Sequence, residues 1–145
     1  MEAHFYNVDI NWKSGRTGEM TSPELTTAVE IATPPQFPSG VEGIWSPEHL
    51  FTAAVASCLM TTFVAIAENS KLEFSDFTIK SSGKLDRTDG KFLMTEVILE
   101  PTVVITHEED RAKAERVLQK SEANCLISNS VNSKITMVPN IIIGQ

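Results

Sequence analysis

The sequence has no cluster of basic residues. Twelve Lys and Arg stand against nineteen Asp and Glu, giving a net charge of −7, and the cations are scattered. Nucleic acid and anionic membrane surfaces both select dense positive patches, so neither is an expected partner. Potential metal ligands are scarce too. His4, His49, His107, Cys58 and Cys125 show no C-x-x-C or H-x-x-x-H spacing, so no metal is expected. No flavin or haem motif is visible, and no cofactor is expected. The amino terminus, Met-Glu-Ala-His-Phe-Tyr-Asn, lacks a basic segment followed by an apolar run, so it does not read as an export signal. Cysteines in such a chain point to a reducing cytoplasm, where thiols are free or redox-active rather than structural staples. Repeats and low-complexity segments are absent. The 41% apolar and 21% charged content is that of an ordinary globular chain. Residues 1–145 are expected to form a single domain.

Against these absences one stretch stands out, Ser46 to Glu68. Ser46 suits an N-cap and Pro47 the first helical position, where a missing N–H costs nothing. From Leu50 to Ala67 no residue carries a charge. Apolar residues fall on every side of the wheel, which predicts a helix buried all round and ending near Asn69. The run approaches the length of a membrane span. Its many Ala, Ser and Thr residues, and the lack of flanking Lys or Arg before Lys71, favour a central helix of a folded core instead.

Alternation predicts a strand over His4 to Trp12, a glycine turn over Ser14 to Gly18, and a second strand over Glu24 to Ala32 that completes a hairpin. An irregular loop, Thr33 to Gly40, carries three of the prolines and leads into the helix. Leu72 to Leu85 and Phe92 to Thr106 read as long strands joined by an Asp89-Gly90 turn. Val97, Leu99, Val103 and Ile105 share one face of the second. Thr106-His107-Glu108-Glu109 matches a capping box. The helix after it places Ala114, Val117 and Leu118 on one face, with Cys125 on the same side if the helix continues. Ser133 to Val138 and Asn140 to Gln145 read as closing strands. The order predicts an α+β fold with sheets wrapped around a long buried helix. A helix apolar all round needs cover its own sheet cannot supply, and a second copy would provide it, so a homodimer is expected.

Cys58 sits in the middle of that helix. A lone buried cysteine is usually a small hydrophobe. Three features argue for more. A Pro- and Gly-rich loop precedes the helix and could wall a pocket. Cys125 gives a second thiol on another apolar face. Arg16 stands in a glycine turn, and Glu48 in the first turn of the central helix. A reactive cysteine needs a cation to hold its thiolate, an Arg is permanently charged, and a carboxylate can grip the Arg fork. The plainer alternatives are a solvated Arg16 and a Glu48 favoured by the helix dipole. Glu48 and Cys58 lie ten residues apart, about 15 Å along a helix axis and about 80° around it. If they act together, one comes from each of two chains.

The run Ser-Pro-Glu-His-Leu-Phe-Thr-Ala-Ala-Val-Ala-Ser-Cys, Ser46 to Cys58, resembles the central-helix motif of the OsmC/Ohr family of organic hydroperoxide reductases. Gly15-Arg16-Thr17-Gly18 is similar to that family's arginine turn, and Ala123 to Asn129 to its second-cysteine motif. Leu126 departs from the pattern, standing where the family typically has proline. The resemblance implies a swapped α+β homodimer with active sites at the interface. It implies that Cys58 is the peroxidatic thiol and Cys125 the resolving thiol, with Arg16 and Glu48 of the partner chain activating Cys58. A small organic hydroperoxide is then the expected substrate, and a dithiol or lipoyl-type compound the reductant. Phe37, Phe51, Met60 and Phe63 are candidates for an apolar lining, although core packing is the commoner role for such residues. Two other functions stay open on this scaffold: a non-catalytic protein that binds a lipophilic ligand, and a redox sensor.

Overall fold

The computed structural model describes residues 1–144; Gln145, the end of the last expected strand, lies outside the described residues. The chain divides into two compact units, Met1–Leu50 and Phe51–Gln145.

The first unit is a three-stranded antiparallel meander of β1 (Asp9–Ser14), β2 (Thr17–Thr21) and β3 (Val29–Ala32), with β2 in the centre. The sequence pattern predicts two strands here, and the difference has a local cause. Of the two glycines in the turn, only Gly15 takes a positive φ, +53°. Gly18 lies within β2, opposite Trp12 and so close to the Asn11 carbonyl that a Cβ would collide with it. The chain therefore reverses at Gly15-Arg16, and Thr17 onward becomes a strand. Pairing runs only to Asp9 opposite Thr21. Two positions further on stands Pro23, which has no N–H for a ladder, so His4 to Val8 continue beyond the hairpin rather than in it. The proline loop is held by Phe37 N–H to Pro34 O, Gly40 N–H to Phe37 O and Val41 N–H to Thr33 O. At its end Ser46 is fully buried, and its hydroxyl accepts from the His49 N–H at 3.1 Å. This is the N-cap read from the sequence.

Helix α1 (Pro47–Asn69) starts and stops where expected. In the second unit it packs on the sheet of β4 (Phe74–Thr88), β5 (Lys91–Ile105), β6 (Lys134–Met137) and β7 (Asn140–Ile143). Strands β4 and β5 form an antiparallel hairpin, closed by Asp89 and Gly90 with φ of 50° and 79°, the left-handed pair that a tight hairpin turn needs. Strands β6 and β7 pair parallel to β5 one after the other, Ile135 opposite Val97 and Ile141 opposite Val103. The sequence pattern predicts both, and Pro139 falls at the break between them.

Helix α2 (Arg111–Ala123) buries Ala114, Val117 and Leu118 as the sequence predicts. The capping box does not form. The Thr106 hydroxyl donates to Glu73 at 3.2 Å instead, and a single 3-10 turn, Glu108–Asp110, leads into the helix. Glu108 grips Arg111 at 2.8 and 3.0 Å, and Arg111 donates to the Ile141 carbonyl at 2.7 Å, tying α2 to β7.

The apolar face of β5 is buried at Val97, Leu99, Val103 and Ile105, and it divides two packing clusters. One gathers Phe63, Ala67 and Leu72 with α2. The other gathers Val55, Leu59 and both cysteines. The close approach of α1 to β4 depends on Gly83, whose Cβ would meet the Thr52 side chain. Helix α1 is not buried all round in one chain. Ser57, Met60, Thr61 and Val64 are exposed, because the sheet and α2 cover only the opposite face.

Phe63 is fully buried, stacked on Phe77 at 4.3 Å and edge-on to Phe74 at 5.2 Å. Phe63→Ala should destabilise the fold by about 3–5 kcal/mol in urea unfolding; a loss below about 1 kcal/mol would show that this cluster does not anchor α1.

Candidate active site

The two cysteines, 67 residues apart in sequence, share one buried cluster. Cys58 lies on the face of α1 that packs against Val97 and Leu99 of β5. It is 9% exposed. Cys125 arrives from the other side. The sequence leaves open whether α2 continues to it; the helix ends at Ala123, and the chain turns at Asn124. The turn is fixed by Asn124 N–H to Lys120 O at 3.1 Å and Cys125 N–H to Glu122 O at 3.3 Å. This turn, rather than a helical register, carries Cys125 into the core, where it is fully buried. Both thiols are free.

Their environments push the two sulfurs apart electrostatically. Burial alone would raise Cys58, and it is the largest single influence. Hydrogen bonds from the Ile127 N–H, the Cys125 thiol, the Thr62 hydroxyl and the Leu126 N–H together outweigh it, so Cys58 sits below the ordinary cysteine value. The Thr62 oxygen is 3.9 Å from the sulfur, one helical turn away. Cys125 goes the other way. Burial, together with its bond and proximity to Cys58, pushes it up to about 11, against the Ser128 hydroxyl and N–H. Cys58 is therefore the more acidic of the two thiols and Cys125 the one that holds its proton, and the thiolate is the form of a cysteine that attacks.

Arg16 and Glu48 belong to the first unit. Arg16 occupies the turn between β1 and β2, where its carbonyl accepts from the Thr33 N–H at 3.2 Å. Its side chain is exposed and lines a groove of about 280 Å³ with Ile10, Trp12, Ile31 and Pro47. Glu48 stands in the first turn of α1, half-buried.

Of the expected lining residues, Phe51 packs against the cysteine cluster. Phe63 serves the neighbouring core, Met60 is exposed, and Phe37 lies in the proline loop of the first unit. The sequence reading missed Thr62, and although it singled out Ala123 to Asn129 as a motif it assigned no influence on the thiols to Leu126, Ile127 or Ser128. A hydroxyl at the i+4 position from a helical cysteine is a readable signal for Thr62. No comparable signal marks the other three. Among the described residues, no group of three His, Cys, Asp or Glu side chains is arranged to hold a metal ion.

A family model for OsmC-like protein matches residues 40–139. The uncharacterized protein YmaD of Bacillus subtilis is 30% identical over 142 residues, 94% of this chain and 93% of that protein. Among solved structures, an OsmC-like protein of unknown function from Vibrio cholerae superposes with a TM-score of 0.85. It is 24% identical, and the match covers 94% of this chain and 99% of that one. A Legionella pneumophila structure described as an organic hydroperoxide resistance protein has a TM-score of 0.77. It is 21% identical, with 98% and 99% covered. The two structures agree with this chain in fold.

Iodoacetamide should label Cys58 at a pH below the ordinary cysteine value of 9.0 and leave Cys125 untouched until the pH approaches about 11. The rate follows the thiolate, so each thiol should gain reactivity as pH rises through its own pKa. Peptide mass spectrometry across a pH series reads both; equal labelling of the two would contradict the assignment.

Proposed function

Because the chain belongs to the OsmC-like protein family, we propose that it is a thiol peroxidase that reduces organic hydroperoxides. The observation that carries this reading is the shared buried cluster, with Cys58 acidified and Cys125 held protonated. The name of the Legionella pneumophila neighbour, an organic hydroperoxide resistance protein, supports the substrate class.

In the cycle, the Cys58 thiolate attacks the terminal oxygen of the hydroperoxide. The O–O bond breaks, the alkoxide leaves and takes a proton to become the alcohol, and Cys58 becomes a sulfenic acid. The Cys125 sulfur then attacks the Cys58 sulfur. Hydroxide leaves with the Cys125 proton as water, and a Cys58–Cys125 disulfide forms. An external dithiol reduces it by exchange, returning both thiols and leaving as its own disulfide. No cofactor takes part. The apolar setting of the cluster, with Phe51 against it, favours alkyl or lipid hydroperoxides over hydrogen peroxide.

Arg16 and Glu48 enter through a homodimer. On α1 Met60 and Val64 are 42% and 40% exposed, and on β1 Trp12 is 75% exposed; large apolar side chains left in water mark faces that another chain can cover. A second copy would cover them. In that dimer Arg16 of one chain serves Cys58 of the other, stabilising the thiolate and the leaving alkoxide, and Glu48 orients the guanidinium.

Purified protein, cumene hydroperoxide and a dithiol test the reading. Hydroperoxide loss should disappear in Cys58→Ser and stop after one turnover in Cys125→Ser, with Cys58 left oxidised. Arg16→Met should slow turnover by about 100-fold or more. Turnover that survives Cys58→Ser would sink the proposal. A disulfide that forms but is reduced only slowly would mark a redox sensor, and a Cys58 of ordinary sluggish reactivity a ligand-binding protein.

A further inference from the structure

Three cations of this acidic chain line one cleft. At the end of α1 and along α2, Ile66, Ser70, Lys113, Arg116, Val117 and Lys120 surround about 290 Å³. The three are a quarter of the twelve Lys and Arg residues, and the lining holds no acidic side chain to offset them. On α2 they stand at i, i+3 and i+7, so they share one face. Like charges at that spacing repel, so the helix gains nothing from gathering them. Two have a local reason to be there. The Lys113 ammonium donates to the Lys71 carbonyl at 3.3 Å, and Lys120 stands in the last turn of α2, where the helix dipole favours a cation. Arg116 has neither. Its neighbours at i−4, i−3, i+3 and i+4 are Ala112, Lys113, Gln119 and Lys120, none of them an acid. Among the described residues, no ion pair involves any of the three cations.

We propose that this cleft binds a small organic phosphate, with Arg116 and Lys120 on the phosphate and Ile66 and Val117 against the organic part. A phosphomonoester carries close to two charges and three acceptor oxygens, which suits three converging cations better than the single charge of a carboxylate. The Arg116 fork can grip two of those oxygens at once, and the lysines act as point charges. Val117 is 3% exposed and Ile66 half-buried, so the cleft has apolar surface that inorganic phosphate would leave unused. The net charge of −7 repels a long polyanion. A small anion inside the cleft feels chiefly the charges within a screening length of about 8 Å. The cleft stays open in a dimer built on the exposed face of α1, because Ile66 lies about 160° around the helix from Val64. Its apolar residues pack with the Phe63 cluster rather than with the cysteines, so it is a second site, beyond the peroxidase reading.

The test titrates the full chain at low salt with phenyl phosphate, inorganic phosphate and benzoate, and follows backbone amide signals by NMR. Phenyl phosphate should shift the signals around Ile66 to Ser70 and Lys113 to Lys120 saturably, and bind about fivefold or more tighter than either other probe. Arg116→Gln should weaken it about tenfold, the loss of charged hydrogen bonds, and Lys120→Gln should weaken it in the same direction. Both side chains are exposed, so either variant carries the test if the other does not fold. Arg16→Met should bind as the wild type does. No saturable shift, unchanged affinity in Arg116→Gln, or shifts centred on Arg16 would overturn the site. Inorganic phosphate or benzoate binding as tightly as phenyl phosphate would overturn the ligand class. The readout is binding alone, so a chain that consumes no hydroperoxide leaves this result standing.

Discussion

Two sulfur atoms share one dry cluster, and burial makes charge expensive for both. Which of them ionises is decided by the donors each receives. Cys58 draws on the Thr62 hydroxyl, the Cys125 thiol and two backbone amides. Cys125 gives its proton to that set and gains only Ser128 in return. The same low-polarity surroundings that would silence a lone thiol therefore separate the pair into a more acidic thiol and a less acidic one. Hydrogen bonds in such surroundings weigh more than in water, and unmatched groups cost more.

The rest of the fold serves this meeting of two chain segments. The 15-residue strand β5 is the common support. Val97 and Leu99 lie under the cysteines, while Val103 and Ile105 lie under the Phe63 cluster. On its free edge β6 and β7 run end to end, and Arg111 pins α2 to β7 through the Ile141 carbonyl. That bond holds the start of α2, and the turn at its other end, at Asn124, carries Cys125 into the core.

Much of this was legible in the sequence. Ser46 and Pro47 mark the start of α1, Asp89-Gly90 the long hairpin, and the alternation of Val97 to Ile105 the buried face. These signals are local, and nothing distant competes with them. Where the reading failed, a distant group or a neighbouring strand had intervened. Gly18 looks like a turn residue but is needed where the Asn11 backbone comes close. Thr106 would cap a helix if Glu73, 33 residues away, did not take its hydroxyl. The uncharged length of α1 predicts burial on every side, which one chain cannot supply. At the site the cysteines could be named because thiols are rare. The amides of Leu126 to Ser128 could not, because every residue but proline has one and only the folded turn decides where they point.

The proposed cycle depends on Cys58 and Cys125 forming a working redox pair. The most direct measurement is the intact mass and thiol content of the reduced protein after one equivalent of an organic hydroperoxide, with no reductant present. The cycle predicts loss of two hydrogens, disappearance of both alkylatable thiols, and a single cross-linked peptide joining Cys58 to Cys125. A protein that keeps both thiols, or that gains oxygen on Cys58 while Cys125 stays free, would contradict it.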